Sequence, residues 1–258
     1  MNPRHIIVQA LLLAILVPCG AAQTRLGVIC GLSVPNLSGG SNEITQDYRS
    51  RLAPHFGITV ERDIGGHFSL QPALVFDGQG GQRTGLQPIT STSLPPLPSG
   101  GYYYADFKNT SVLNYIELPV LVRYRIGAGA LHFQVNAGPY VGYLVGATQK
   151  TSGTSAIYVD RNRTPLEIPV PPDYTQMAPV PPQSFDASTD VMDSIHRMNA
   201  GIEGGVGMDL DLTAAHTLSL EVHGLYGVTN IQRYAEDGTN HTGNLLVSLA
   251  YTIVVPWM

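Results

Sequence analysis

The sequence of 258 residues is nearly devoid of cysteine, holding only Cys19 and Cys30. Cys19 falls in an N-terminal segment expected to be removed, which leaves Cys30 alone. One thiol forms no intramolecular disulfide and cannot build a cysteine zinc site. Cys30 is expected to act as a small apolar residue on a strand. Charge is scarce too: 13% of residues are Asp, Glu, Lys or Arg, about half the usual share of a soluble domain. The net charge of -5 and the scattered Lys and Arg exclude a nucleic-acid surface. The eight His are dispersed without the spacing of a metal site. No cofactor is expected. Beyond the leader no apolar run approaches the ~20 residues of a membrane helix.

The N-terminus reads as an address. Arg4 and His5 precede an almost unbroken apolar stretch from Ile6 to Val17, followed by Gly20, Ala21 and Ala22. This is the pattern of a signal peptide cut after Ala22, so residues 1–22 form the leader and residues 23–258 the mature domain. Acylation of Cys19 is the competing reading, and Pro18 stands where a lipidation site wants a small residue.

What the mature chain does have is alternation. In the last segment Leu245, Val247, Leu249, Tyr251, Ile253 and Val255 share one face, opposed by Ser248, Ala250 and Thr252. The same period of two recurs with Leu218, Leu220, Val222, Tyr226 and Val228, with Ile202, Val206, Met208, Leu210 and Leu212, and with Phe133, Val135, Val141, Tyr143 and Val145. It recurs again through Ile116, Leu118, Val120, Val122 and Tyr124. Weaker segments run from Arg25 to Val34, Phe56 to Ile64 and Phe68 to about Gly78. Period-two patterning predicts strands, here about eight.

The connections alternate as well. Short turns are expected at Gly65-Gly66, Gly127-Ala128-Gly129 and Ala214-Ala215. Long connections are expected at 35–51, 80–108, 149–197 and 232–243. Short turns on one side and long loops on the other are the pattern of an outer-membrane barrel. The predicted fold is therefore all-β: an eight-stranded antiparallel up-and-down transmembrane barrel, its partner the outer-membrane lipid. The opposite orientation, apolar inside, would make a soluble lipocalin-like carrier. A polar face of Gly, Ser and Thr favours lipid outside.

Several segments carry a family resemblance. "LGVICGLSVPNLSG", "FSLQPALVFDGQGG", "LNYIELPVLVRYRI" with its Tyr-Ile-Glu-Leu-Pro core, and "NAGPYVGYL" follow one another along the chain. Together they resemble the PorT-like outer-membrane barrels of Bacteroidetes-type bacteria. The resemblance spans most of the mature chain outside the long loops and implies eight strands. Ala73 stands where that family commonly has an acidic residue, and the chain ends Pro256-Trp257-Met258 rather than on an aromatic. The founding member's association with secretion and gliding is not carried over.

With lipid outside, Arg25, Glu61, Glu117, Arg123, Arg125, Glu203, Glu221 and His223 all point inward. Eight strands leave an interior just wide enough to be filled by side chains. Glu117 is expected to pair with Arg123 or Arg125, and Glu203 with Glu221 and an arginine, making a polar plug; a narrow pore is the alternative. Catalysis is not supported. His67 and Ser69 have the spacing of a deacylase pair but lie by a periplasmic turn facing inward. Asp209, Asp211 and the Glu221-x-His223 pair lie at the wrong end for an outer-membrane protease. Loops 80–108 and 149–197, rich in proline, are expected to be weakly structured and to offer a surface to an envelope or extracellular protein. Tyr102, Tyr103 and Tyr104 are expected in the aromatic girdle. The sequence thus predicts a non-enzymatic structural or surface-interaction barrel.

Overall fold

The structure, a computed structural model, describes residues 23–40, 42–89, 94–97 and 101–256. The expected leader, residues 1–22, and the terminal Trp257-Met258 lie outside the described residues.

Eight long strands form one closed ring. They are β1 (Thr24–Gly39), β2 (Ala53–Gly65), β3 (Phe68–Ile89), β4 (Tyr103–Ala128), β5 (Leu131–Ser152), β6 (Met198–Asp211), β7 (His216–Gly227) and β8 (Asn240–Val255). Each pairs antiparallel with its chain neighbours, and β1 pairs with β8 to close the ring. The shortest, β7, has 12 residues, enough for a tilted membrane crossing of 9–11.

Which way the faces point follows from burial. On β8 the residues Leu245, Val247, Leu249, Tyr251 and Ile253 are exposed, while Leu246, Ser248, Ala250 and Thr252 are buried. Val28, Leu32, Ile58, Phe133, Val135, Ile202, Val206, Leu220 and Val222 continue the exposed apolar belt around the ring. Such a belt is far larger than the apolar patches a soluble monomer carries, and it is what a bilayer solvates. The lipocalin-like reading is corrected here: the apolar face is outside, because Arg, Glu, Asp, Asn and Gln occupy the enclosed face. Cys30 is exposed on the belt of β1.

The three short turns lie where the sequence puts them. Gly65 and Gly66 take φ of 120° and 61°, which a side chain would strain, and they let β2 reverse tightly into β3. On the opposite side the expected loops are corrected. β3 continues to Ile89 and β4 begins at Tyr103, so most of 80–108 is a two-stranded ribbon rather than weakly structured. β4, at 26 residues, is more than twice as long as a crossing requires. The lack of a continuous apolar face hid the strand, since neither face there meets lipid. Gly80 (φ 112°) and Gly85 (φ 108°) take backbone angles in the ribbon that a side chain would strain, and a Cβ on Gly80 would stand 2.1 Å from the Ser111 carbonyl oxygen.

The connection from β5 to β6 is also ordered into β structure. Thr154–Ser155 pairs with Gln183–Ser184, Glu167–Val170 with Gln176–Pro179, and Ala187–Asp190 adds to the edge of β5. Tyr103 and Tyr104 are buried in this extracellular layer and not in a membrane girdle. Tyr104 bridges backbone to backbone with Tyr158, so loop chain covers the ring that was expected to face lipid.

Candidate functional site

The enclosed face of the barrel and its outer mouth hold the chain's unusual chemistry. At the periplasmic end Arg25 Nη1 donates to Glu61 Oε1 at 3.3 Å and to Asp63 Oδ1 at 3.1 Å. Glu61 also accepts from Ser69 Oγ at 2.8 Å and from Arg123 Nη1 at 3.2 Å. Arg123 then reaches across the lumen to Glu221. Glu221 accepts from Gln134 Nε2 at 2.7 Å and lies 3.5 Å from His223 Nε2. His223 Nδ1 is 2.6 Å from Glu203 Oε1. Arg125 pairs with Asp209 at 2.9 Å and Asp211 at 2.7 Å. Seven of the eight expected inward residues therefore lie in one connected set on β1, β2, β4, β6 and β7.

Glu117 is the exception, and its expected pairing is corrected. It accepts from Gln79 and meets neither Arg123 nor Arg125. The reason is geometric: Arg123 lies six residues further along β4, roughly 20 Å at ~3.3 Å per residue. Glu203 likewise takes His223 as its partner, with no arginine on it among the described residues. Sequence reasoning missed Gln79 and Gln134, and it missed the buried cluster in which His55 lies 3.2 Å from Asp77 and Asn244 Nδ2 donates to Asp77 at 2.7 Å. Asp209 and Asp211, weighed only as catalysts, join the arginines. Only the stagger of the closed ring decides these partners. His67 is corrected as well: it is exposed at the turn, its ring edge-on to Tyr124 at 5.8 Å, while Ser69 is buried. The two do not form a pair.

Charges buried this deeply are costly unless matched and hydrogen-bonded, and most of these are. A cavity of about 20 Å³, lined among others by Ile29, His55, Val75, Leu121 and His223, has room for about one water molecule. Above it the lumen turns apolar: Leu113, Tyr115, Leu144 and Ala147 from β4 and β5 pack with Leu37, and Ile195 and Ile231 descend from the last two outer connections. The backbone holds this cap in place through His196 N–H to the Ile231 carbonyl at 2.8 Å and Leu144 N–H to the Arg197 carbonyl at 2.8 Å.

Outside the mouth the loops are latched to each other. Tyr104 donates its hydroxyl to Glu43 Oε2 at 2.5 Å, Arg161 meets the same oxygen at 3.2 Å, and its guanidinium lies 5.8 Å from the Tyr104 ring. The Tyr104 hydroxyl holds the Glu43 carboxyl below its ordinary range; partial burial opposes this and Arg161 adds to it. Arg163 meets Asp106 at 2.8 Å nearby. Among the described residues no group of three or more His, Cys, Asp or Glu is arranged to hold a metal ion.

The family model "Outer membrane protein beta-barrel domain" matches residues 21–233. The chain belongs to this family. It is an outer-membrane β-barrel, and lipid surrounds its apolar belt. The match stops before β8, the strand that closes the ring. No curated protein is similar enough in sequence to match. Among solved structures, Neisserial surface protein A is 9% identical, with 89% of this chain and 97% of that one covered and a TM-score of 0.38. Ail, the attachment invasion locus protein of Yersinia pestis, is 10% identical, with 90% and 99% covered and a TM-score of 0.35. The outer membrane protease OmpT from Escherichia coli is 10% identical, with 91% and 96% covered and a TM-score of 0.41. None of these likenesses is strong enough to carry a functional argument.

Proposed function

We propose that the chain is exported by a signal peptide cleaved after Ala22, inserts as a PorT-like barrel, and serves without catalysis as a structural or surface-interaction component. In this reading the set Arg25, Glu61, Glu117, Arg123, Arg125, Glu203, Glu221 and His223 is a plug that stiffens the scaffold. The ribbon of β3 and β4 and the connection 153–197 are what the scaffold displays to the outside, for an envelope or extracellular protein.

The observation that carries the reading is the closure of the lumen. Paired charges occupy the periplasmic half, a cavity among them holds about 20 Å³, and an apolar cluster containing Ile195 and Ile231 packs across the outer half. Transport through such an interior is disfavoured, while the outer half holds most of the chain not needed to cross the membrane. The PorT-like assignment is supported by the Tyr-Ile-Glu-Leu-Pro core, Tyr115 to Pro119, placed mid-strand on β4.

Planar-bilayer recording tests the plug. The purified barrel is expected to insert without stable conductance, and a steady channel of defined size would replace this reading with the pore. Protease treatment of intact cells tests the display: cleavage within 153–197 is expected, and resistance there with cleavage at 127–130 would reverse the orientation.

A further inference from the structure

The extracellular end of β3 carries a cleft that the plug does not use. It encloses about 410 Å³ and is lined by Asp47, Tyr48, Arg49, Arg83, Thr84 and Gln87, among others. That volume is in the range of small-ligand sites, about 300–1,000 Å³. Arg83 lies seven residues beyond Phe76, the last belt residue of β3, so roughly 23 Å further along the strand at ~3.3 Å per residue. The cleft therefore stands clear of the apolar belt.

Its walls are fixed before any ligand arrives. Arg83 is only 8% exposed. Its Nη1 donates to the carbonyls of Glu43 (3.2 Å), Ile44 (2.7 Å) and Gln46 (3.3 Å), closing the turn that precedes Asp47. Its guanidinium lies 5.7 Å from the centre of the Tyr48 ring. Tyr48 is pressed on the strand because Gly81 has no side chain: a Cβ there would stand 3.1 Å from the ring. Gln87 is held by Nε2 to the Phe107 carbonyl at 2.6 Å. Arg49 is pinned by its backbone, N–H to the Gln82 carbonyl at 2.7 Å and the return bond at 2.9 Å. Its side chain is exposed and has no hydrogen-bond or ion-pair partner among the described residues.

We propose that this cleft binds an acidic oligosaccharide, one that carries uronate carboxylates. Ligand sites are commonly apolar with a few polar groups; here hydroxyl, amide, carboxylate and guanidinium dominate, which suits a polyhydroxylated ligand. Tyr48 forms a fixed wall of the cleft, its ring packed between Arg83 and the apolar cluster of the lumen, and the exposed Asp47 carboxylate can accept hydrogen bonds from sugar hydroxyls. Two guanidiniums against one carboxylate leave a positive balance, and the free Arg49 fork fits a carboxylate bidentately. The proposal deepens the surface-interaction reading, since it needs this end of the barrel to face outward.

The test uses the full barrel in phosphatidylcholine nanodiscs, its folding verified by heat-modifiable migration so that failure of the barrel itself is seen separately. Titration with trigalacturonate is expected to saturate, and the neutral galactose trimer to bind at least about tenfold more weakly. Arg49→Ala is expected to weaken trigalacturonate at least about tenfold, and Arg49→Lys less. Absence of binding to the folded barrel, equal binding of the neutral trimer, or unchanged binding by Arg49→Ala would overturn the proposal. Competition by lipopolysaccharide from the producing bacterium would assign the acidic sugar to its own membrane; competition by polysaccharide from outside the cell would assign it there.

Discussion

Arg123 on β4 donates Nη1 to Glu61 on β2 at 3.2 Å, and with side-chain exposures of 2% and 4% both groups are shut away from solvent. β3 runs between those strands, so the pair spans the curve of the wall instead of a ladder rung. The other Nη of Arg123 crosses the lumen to Glu221 on β7. Removing one member of a buried pair leaves uncompensated charge, at a cost of about 3–5 kcal/mol. Arg123→Met is therefore expected to lower the stability of the lipid-refolded barrel by that order in urea titrations. A change below 1 kcal/mol, roughly the worth of an exposed pair, would show that the guanidinium does not organise the lumen.

The interior also depends on missing side chains. A Cβ on Gly205 would lie 2.1 Å from His223 Cδ2 and 2.6 Å from the Val222 carbonyl oxygen. Gly205→Ala must displace the imidazole that meets Glu203, and overpacking of this kind costs about 1–3 kcal/mol. Gly224, on β7 opposite Gly204, has open space where its Cβ would be. Gly224→Ala is expected to leave stability nearly unchanged. Urea midpoints of the two variants check the contrast; equal midpoints would contradict it.

These partners mark the limit of what the sequence discloses. Alternation identified the eight crossings because one face meets hydrocarbon and the other does not, as at Leu245 to Ile253. It stopped at Gly78 on β3 because the outer ribbon has no such contrast. It also could not foresee the bulge on β5. Asn114 pairs with Gly146 but Tyr115 with Leu144, so Val145 is the extra residue and Ala147 turns inward after it. Which residues point inward was legible from parity. Which of them touch depends on the stagger around the ring, and that placed Glu117 with Gln79 rather than with an arginine. The latch of Glu43, Tyr104 and Arg161 joins residues up to 118 positions apart in regions without periodicity, and no local signal announces it.

The latch should respond to acid. Folding lowers the Glu43 carboxyl from its ordinary value of 4.5, chiefly through the Tyr104 hydroxyl. A depressed carboxylate stabilises fully above its unfolded value and loses that contribution as pH falls through its folded value. Amide exchange around Glu43 and Arg161 is expected to accelerate as pH drops below 4.5, after correction for intrinsic rates, and to be steady above it. Tyr104→Phe should make the acceleration smaller and complete it at a higher pH, the onset staying near 4.5. Loosening that begins on the alkaline side would contradict the assignment.

Cys30 reports the orientation of the wall. It is the one cysteine among the described residues and lies exposed on the belt between Phe56 and Leu249. In a bilayer a charged, water-soluble maleimide is expected to leave it unlabelled until the barrel is unfolded. Rapid labelling of the folded protein in liposomes would place that face in water.

The central claim is that this chain is a closed barrel in the outer membrane with its apolar face toward lipid. Migration of the protein from purified outer membranes on a detergent gel, with and without boiling, tests it most directly. The account predicts a compact, fast-migrating band that shifts on boiling. Recovery of the protein in the soluble periplasmic fraction, with one mobility under both conditions, would contradict it.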